Sequence, residues 1–182
     1  AFMVFAVPLS VGAQDDVVVT KQYDDGGMYE GTFKNGLQHG IGTYRLPNGY
    51  EYSGEWVDGE IFGIGVAKFP NGSVYEGNFI KGKPEGSGKI IFADGGTYEG
   101  SWLDGKITGQ GVAVYANGSR FKGGFLEAMH HGQGVMTNPD GYVYDGDWVN
   151  GVKEGLAKIT YPDGSVYTCL LYTSDAADDL LC

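Results

Sequence analysis

The sequence predicts an all-β protein, a single-layer ribbon of antiparallel β-hairpins that repeats along its length. Glycine makes up 33 of the 182 residues, and each interior glycine costs a helix about 1 kcal/mol relative to alanine. Aromatic residues reach 14 %, which indicates a packed core rather than a disordered chain. Aromatic and glycine residues also recur every 23 residues, and a fixed period is typical of repeat architectures.

Composition excludes two other classes of protein. The chain has only 6 prolines, and its glycines do not recur at every third position, so a collagen-like triple helix is excluded. Its 12 basic and 23 acidic side chains give a formal charge of −11. A nucleic-acid-binding domain normally carries a basic stripe, so we expect no nucleic-acid partner.

Two aromatic columns and several glycine columns define the repeat. The first aromatic column is Tyr29, Tyr52, Tyr75, Tyr98, Phe121 and Tyr144. The second column, four residues later in each copy, is Phe33, Trp56, Phe79, Trp102, Phe125 and Trp148. Glycine lies between them and at three later positions, with Ala128 and Ala157 as exceptions. Six full copies over residues 29–166 resemble the MORN repeat (membrane occupation and recognition nexus).

Side-chain parity predicts how each hairpin is built. Alternation along a strand places Tyr29 and Phe33 on one face. The segment 47–49 (Pro-Asn-Gly) suits a three-residue loop with glycine in the left-handed region, which pairs Tyr44 with Tyr52. The Asn and Asp residues of such loops are interpreted as turn formers, because one carboxylate per turn is too few to bind calcium. Two strands per copy predict about twelve strands in six copies.

The N-terminal segment predicts export from the cytoplasm. Residues 1–13 are apolar and uncharged, with small residues before Gln14, which is typical of a truncated signal peptide cleaved at that point. A clipped membrane anchor and a buried N-terminal strand are the alternatives. Residues 14–28 are interpreted as an N-terminal segment with a partial repeat, and 29–168 as six full repeats and the start of a seventh.

The C-terminal segment 169–182 breaks the repeat and contains both cysteines of the chain. Its first ten residues resemble the translation of an adapter used to prepare sequencing libraries. We therefore predict that this tail is non-native, which is typical of an assembled environmental fragment. A native acidic, amphipathic segment is the alternative.

The aromatic columns are the candidate binding residues, and two interpretations of them remain open. The twelve rings pack as a core, or their face forms an aromatic-lined groove for a partner, because exposed apolar patches mark interaction sites. The sequence therefore predicts a non-catalytic binding or scaffold module for a protein or membrane-associated partner, or for self-association. A carbohydrate-binding array, and an accessory domain of an enzyme such as a lipid kinase, are the alternatives. Scattered lysines give lipid binding little support.

No residues of the chain suggest catalysis or a cofactor. Its histidines, His39, His130 and His131, fall between two glycine columns and are interpreted as solvated loop residues rather than metal ligands. No nucleophile-elbow, phosphate-loop or zinc-protease motif is present. We expect no enzyme activity, no metal and no cofactor.

Overall fold

The structure, a computed structural model, describes residues 17–171, and every regular element in this part of the chain is a β-strand. The strands are β1 (Val19–Gln22), β2 (Met28–Lys34), β3 (Leu37–Arg45), β4 (Glu51–Val57), β5 (Glu60–Lys68), β6 (Val74–Ile80), β7 (Lys83–Ile91), β8 (Thr97–Leu103), β9 (Lys106–Val114), β10 (Arg120–Leu126), β11 (Met129–Thr137), β12 (Val143–Val149), β13 (Val152–Thr160) and β14 (Val166–Leu171). They form one antiparallel sheet in sequence order. The predicted all-β hairpin ribbon is confirmed, and β2–β13 are the twelve strands expected from six repeats.

The loop between successive repeats has the predicted three-residue form. The Leu46 N–H donates to the Tyr50 carbonyl oxygen at 2.9 Å, and the Gly49 N–H donates to the Leu46 carbonyl oxygen at 3.1 Å. Gly49 has a φ of 91°, a left-handed conformation that glycine adopts without steric cost. Tyr44 pairs with Tyr52, so the parity prediction is confirmed.

A second turn, inside each repeat, was not identified from the sequence. Asp58 and Gly59 join β4 to β5 with φ values of 49° and 89°, and Val57 pairs directly with Glu60. Two consecutive positive φ values define a type I′ turn, whose twist matches that of the flanking strands. The equivalent turns recur in all six repeats, and Ala128 takes the glycine position of the fifth.

A β-bulge in each repeat accounts for another glycine column. Gly54 pairs with Gly65, whereas Trp56 pairs with Ile61, so two extra residues on β5 are accommodated between these pairs. Gly63, at the bulge, has a φ of 81°. Because the register shifts by two residues, the side chains on either side of the bulge keep the same faces of the sheet.

In the first five repeats, a pair of opposed glycines lies beneath the ring of the first aromatic column. Gly54 and Gly65 face each other across β4 and β5, and the Tyr52 ring lies over both. A Cβ built on Gly54 would lie 2.6 Å from the Tyr52 hydroxyl oxygen. A Cβ at either glycine of this pair would therefore crowd the ring that covers it, whereas the sixth repeat has Ala157 at the equivalent position, opposite Gly146.

The core is a continuous ladder of aromatic rings on one face of the sheet. The Tyr52 ring contacts Trp56 of its own repeat at 5.5 Å and Phe79 of the next repeat at 5.1 Å. The same alternation joins all twelve rings of the two aromatic columns, with centroids 4.9–5.7 Å apart and interplanar angles of 77–87°. These are the edge-to-face contacts that aromatic quadrupoles favour.

The two ends of the chain lie mostly outside the described residues. The predicted signal peptide (1–13) lies wholly outside them, and so does the tail beyond Leu171. Cys169, the first residue of the predicted tail, is buried on β14 opposite Ala157. This position continues the sheet, and the origin of the tail stays a prediction.

Candidate functional site

The twelve predicted binding residues share one face of the ribbon, but they form its core. Eleven of them are buried with no more than 7 % of their surface exposed, and Phe33 is partly buried against them. The interpretation of the rings as a packed core is therefore confirmed. Burial leaves these rings little surface to offer a partner. Their role in ligand binding stays a prediction.

Polar atoms of the core rings are satisfied inside the sheet. The Tyr52 hydroxyl donates to the Glu55 carbonyl oxygen at the bulge, at 3.0 Å, and the tyrosines of four other repeats make the same contact three residues ahead. The Trp56 Nε1–H donates to the Gly42 carbonyl oxygen at 3.1 Å. No side-chain polar atom buried within residues 17–171 lacks a partner.

Burial also shifts the acid–base behaviour of these tyrosines. Loss of solvent raises the pKa of Tyr29, Tyr75 and Tyr144 to about 12, and it raises the pKa of Tyr98 in the same direction. Because burial disfavours the phenolate, these hydroxyls remain protonated hydrogen-bond donors throughout the physiological pH range.

The histidines lie on strands, so their assignment to a solvated loop is wrong. The His130 ring stacks on Phe121, with centroids 3.8 Å apart and an interplanar angle of 22°. Its Nε2 lies 2.6 Å from the Tyr115 hydroxyl oxygen, and burial lowers the pKa of its imidazole. His39 and His131 contact the following hairpin turn through Nδ1, which accepts a backbone N–H. All three therefore have structural contacts.

Loop Asn and Asp side chains contact their own backbone, as predicted for turn formers. Asn48 Oδ1 accepts the Tyr50 N–H at 2.9 Å, and Asp94 Oδ1 accepts the Gly96 N–H at 2.8 Å. The other repeats make the same Asx turn. Within the described part of the chain, no group of three or more His, Cys, Asp or Glu residues is arranged to hold a metal ion.

A groove lies on the opposite face of the sheet, which we call the solvent face. It has a volume of about 770 Å³ and extends across β5–β10. Opposed glycines, including the pairs Gly77–Gly88 and Gly100–Gly111, contribute to its lining. Its lining side chains are Ile64, Glu76, Asn78, Ser87, Lys89, Glu99, Gln110, Val112 and Lys122.

Charges of alternating sign line this groove. Glu76 lies opposite Lys89, which lies opposite Glu99 on the next strand, and Lys122 follows two strands further on. Within residues 17–171 none of these four side chains forms an ion pair within 4.0 Å. All four are exposed, so their charges are available to a ligand. The groove was not predicted from the sequence, because its lining residues come from four consecutive repeats.

Comparison with protein families identifies the repeat. The family model "MORN repeat" matches residues 29–49, 52–74, 75–97, 98–120, 121–141 and 144–166. The chain belongs to the MORN-repeat family. The six matches coincide with the six copies read from the sequence. No curated protein sequence matches the chain.

A solved structure has a fold similar to that of this MORN-repeat array. The TCP domain of Drosophila melanogaster SAS-4 (dCPAP), in complex with a proline-rich motif of Ana2 (dSTIL), has a TM-score of 0.51 and 11 % identity, covering 92 % of this chain and 97 % of that chain. The TCP10 domain of Danio rerio CPAP has a TM-score of 0.37 and 16 % identity, covering 94 % and 90 %. The likeness to the SAS-4 domain is one of fold.

No helix within residues 17–171 is long and apolar enough to cross a membrane.

Proposed function

We propose that this MORN-repeat array is a non-catalytic protein-binding module that holds an extended segment of its partner in the solvent-face groove. The observation that carries the proposal is the contrast between the two faces of the sheet. On one face the rings and their polar atoms are occupied by intramolecular contacts. On the other face a groove of about 770 Å³ presents charged side chains without intramolecular ion pairs.

The spacing of the groove side chains favours a ligand in the polyproline II conformation. Strands in a sheet lie about 4.8 Å apart, so equivalent residues of consecutive repeats are separated by about 9.6 Å along the ribbon. A polyproline II helix advances about 9.3 Å per three-residue turn. A β-strand repeats on one face every 6.6–6.8 Å or so, which matches poorly. Glu76, Glu99 and Lys122 occupy the same position in three consecutive repeats, and every third residue of such a ligand would meet one of them.

A fold neighbour supports a peptide as the class of ligand. The SAS-4 TCP domain, which has a similar fold, was solved in complex with a proline-rich motif. The 11 % identity carries no residue correspondence, so the choice of groove and of charges rests on the geometry of this chain alone.

Binding of short synthetic peptides tests the proposal. The probe is a fluorescein-labelled peptide of sequence PPKPPKPPEPP, in which two lysines and one glutamate at three-residue spacing complement Glu76, Glu99 and Lys122. We expect saturable binding, measured by fluorescence anisotropy. A peptide of the same charge with every proline replaced by glycine or serine is expected to bind more weakly, because it is not preorganised as polyproline II. Equal binding of the two peptides, or no binding, would overturn the proposal.

Two variants locate the binding site. Glu99→Gln removes one groove carboxylate, and an exposed ion pair is worth up to about 1 kcal/mol, so we expect about a threefold loss of affinity for the proline-rich probe. Asp145→Asn changes a carboxylate of the same column that lies on β12, outside the groove lining. That control should leave affinity unchanged. Equal losses in both variants would indicate only a general attraction to an acidic protein.

We further propose that the module acts outside the cytoplasm, on the basis of the apolar segment 1–13. The N-terminal sequence of the mature protein, determined on material from its natural source, should begin at Gln14. A mature N-terminus within or before residues 1–13 would contradict this localisation.

A further inference from the structure

Asparagine is followed by glycine at five turns of the ribbon, at positions 35–36, 48–49, 71–72, 117–118 and 150–151. In this dipeptide the glycine nitrogen can attack the side-chain amide carbon of the asparagine, because glycine has no side chain to shield its backbone. The attack closes a succinimide ring and releases ammonia, and it is one reason why asparagine is a thermolabile residue. Whether a given turn reacts depends on how firmly its glycine nitrogen is held.

Four of the five glycine nitrogens are held by backbone hydrogen bonds. In the three-residue loops the N–H groups of Gly49, Gly72 and Gly118 donate to the carbonyl oxygen three residues earlier, at 3.1, 2.9 and 2.8 Å. The side-chain oxygen of each loop asparagine also accepts the N–H two residues ahead, which restrains its amide. In the type I′ turn of the sixth repeat, the Gly151 N–H donates to the His130 carbonyl oxygen at 2.8 Å. Attack at any of these turns first requires that such a bond be broken.

The turn formed by Asn35 and Gly36 is the exception. Within residues 17–171 the Gly36 N–H makes no hydrogen bond. In the five later repeats the corresponding N–H donates to a strand of the preceding repeat at 2.8–3.0 Å, whereas β1 begins at Val19, opposite Gly31, and does not reach the end of β2. Both turn residues are exposed, and a Cβ built on Gly36 meets nothing within 4 Å. This turn is therefore the least restrained of the type I′ turns in the described part of the chain.

We propose that Asn35 is a deamidation site of this chain, with water as the co-reactant. The Gly36 nitrogen forms a bond to Cγ of Asn35, the bond from Cγ to the side-chain nitrogen breaks, and the proton of the Gly36 N–H leaves with that nitrogen as ammonia. Water then adds to one of the two succinimide carbonyl groups and opens the ring to aspartate or isoaspartate. The turn must open locally for the attack, and local opening is easiest where few contacts hold a segment.

The two products differ in their effect on the first repeat. Aspartate fits the turn, because Asp58 and Asp104 occupy the same position in later repeats with φ values of 49° and 51°. Isoaspartate adds a carbon atom to the backbone, so the two-residue type I′ turn no longer matches the strands that it joins. Because each repeat contacts only its neighbours, we expect isoaspartate to loosen β2 and β3 and to leave β5–β13 unchanged.

Peptide mapping by mass spectrometry, on the full chain incubated in mildly alkaline buffer, tests the proposal. Asn150 is the matched control, because it is exposed and occupies the same turn position with a φ of 49°, against 53° for Asn35. We expect Asn35 to deamidate about fivefold faster than Asn150, the factor by which one net hydrogen bond shifts an equilibrium. In the urea-denatured chain the two rates should become similar. Equal rates in the folded protein, faster loss at any other asparagine, or the same excess at Asn35 in urea would overturn the proposal.

Hydrogen exchange measures the effect of isoaspartate on the first repeat. Incubated protein that contains isoaspartate at position 35 should lose protection in β2 and β3 and keep it in β5–β13. Freshly purified Asn35→Asp is the control, and it should retain wild-type protection throughout. Full protection of β2 and β3 in the isoaspartate form, or an equal loss in fresh Asn35→Asp, would contradict the difference between the two products.

Discussion

At the scale of single residues, the fifth repeat departs from its neighbours at a strained turn. Ala128 has a φ of 66°, where the other five repeats have glycine at φ values of 77–89°. The left-handed conformation destabilises a residue with a Cβ by roughly 1–2 kcal/mol. Replacing it with glycine removes this strain but makes the unfolded chain more flexible, which offsets part of the gain in the free energy of unfolding. We expect Ala128→Gly to raise the free energy of unfolding by about 1 kcal/mol, measured by urea denaturation.

The reverse substitution in the next repeat is the control. Gly151 has a φ of 86°, and a Cβ built on it meets nothing within 4 Å, so only backbone strain opposes a side chain there. Gly151→Ala should therefore lower the free energy of unfolding by about 1 kcal/mol. If both variants shift stability in the same direction, the left-handed conformation is not the cause.

His130 makes stability depend on pH. Burial lowers the pKa of its imidazole below the ordinary value of 6.5, so the unfolded chain binds the proton more readily than the folded one. The contribution of His130 to stability is therefore complete above about pH 7, and it is lost as the pH drops through 6.5 towards the folded pKa. His130→Ile, which introduces the residue found at the equivalent Ile61 and Ile107, should reduce the fall in Tm between pH 7.5 and 5.5.

The wild type, measured over the same pH range, is the control for this experiment. If His130→Ile and the wild type lose the same Tm over this range, then protonation of His130 does not contribute to stability.

At the scale of the β-hairpin, paired glycines and the covering ring act as one unit. Gly88 lies in the lining of the groove and under the Tyr75 ring, so a Cβ at this position collides with the tyrosine side chain. Gly88→Ala should lower the free energy of unfolding by about 3 kcal/mol, the upper range for overpacking. Gly96→Ala is the control, because the nearest atom to its Cβ is a carboxylate oxygen at 3.1 Å, and we expect a loss below about 1 kcal/mol. Chemical denaturation measures both, and equal losses would contradict a role for the ring.

Hairpin pairing was predictable from the sequence, whereas the roles of individual glycines were not. Parity predicted the three-residue loops and the Tyr44–Tyr52 pair correctly. Glycine has three different structural roles, and the residue type alone does not distinguish them. Gly59 forms a type I′ turn, Gly63 a bulge, and Gly65 the flat surface under a tyrosine. Only the first two have positive φ values, and a backbone dihedral is not visible in residue type.

At the scale of the whole molecule, the aromatic columns form the core of the ribbon, and the proposed binding groove lies on the opposite face. From the sequence, the aromatic columns were open to two interpretations, a packed core and a binding face. In the structure each ring packs against a ring of the next repeat, as Tyr52 does on Phe79, so the array buries its aromatic face along its own length. The groove on the opposite face is lined by residues of four consecutive repeats, so no single repeat contains it.

The central claim is that the rings are the core of the ribbon, and a spectrophotometric titration of tyrosine tests it directly. Absorbance at the phenolate band follows ionisation in the folded protein as the pH rises above 10. Burial raises the pKa of Tyr29, Tyr75 and Tyr144 to about 12. In the folded protein these residues should therefore ionise at a clearly higher pH than the tyrosines of a denatured sample of the same chain. Stability falls over the same interval, because the unfolded chain loses its phenolic protons first. Ionisation of all 13 tyrosines near pH 10, with the fold still intact by circular dichroism, would contradict the claim that the rings form a buried core. The aromatic face would then again be a candidate binding surface.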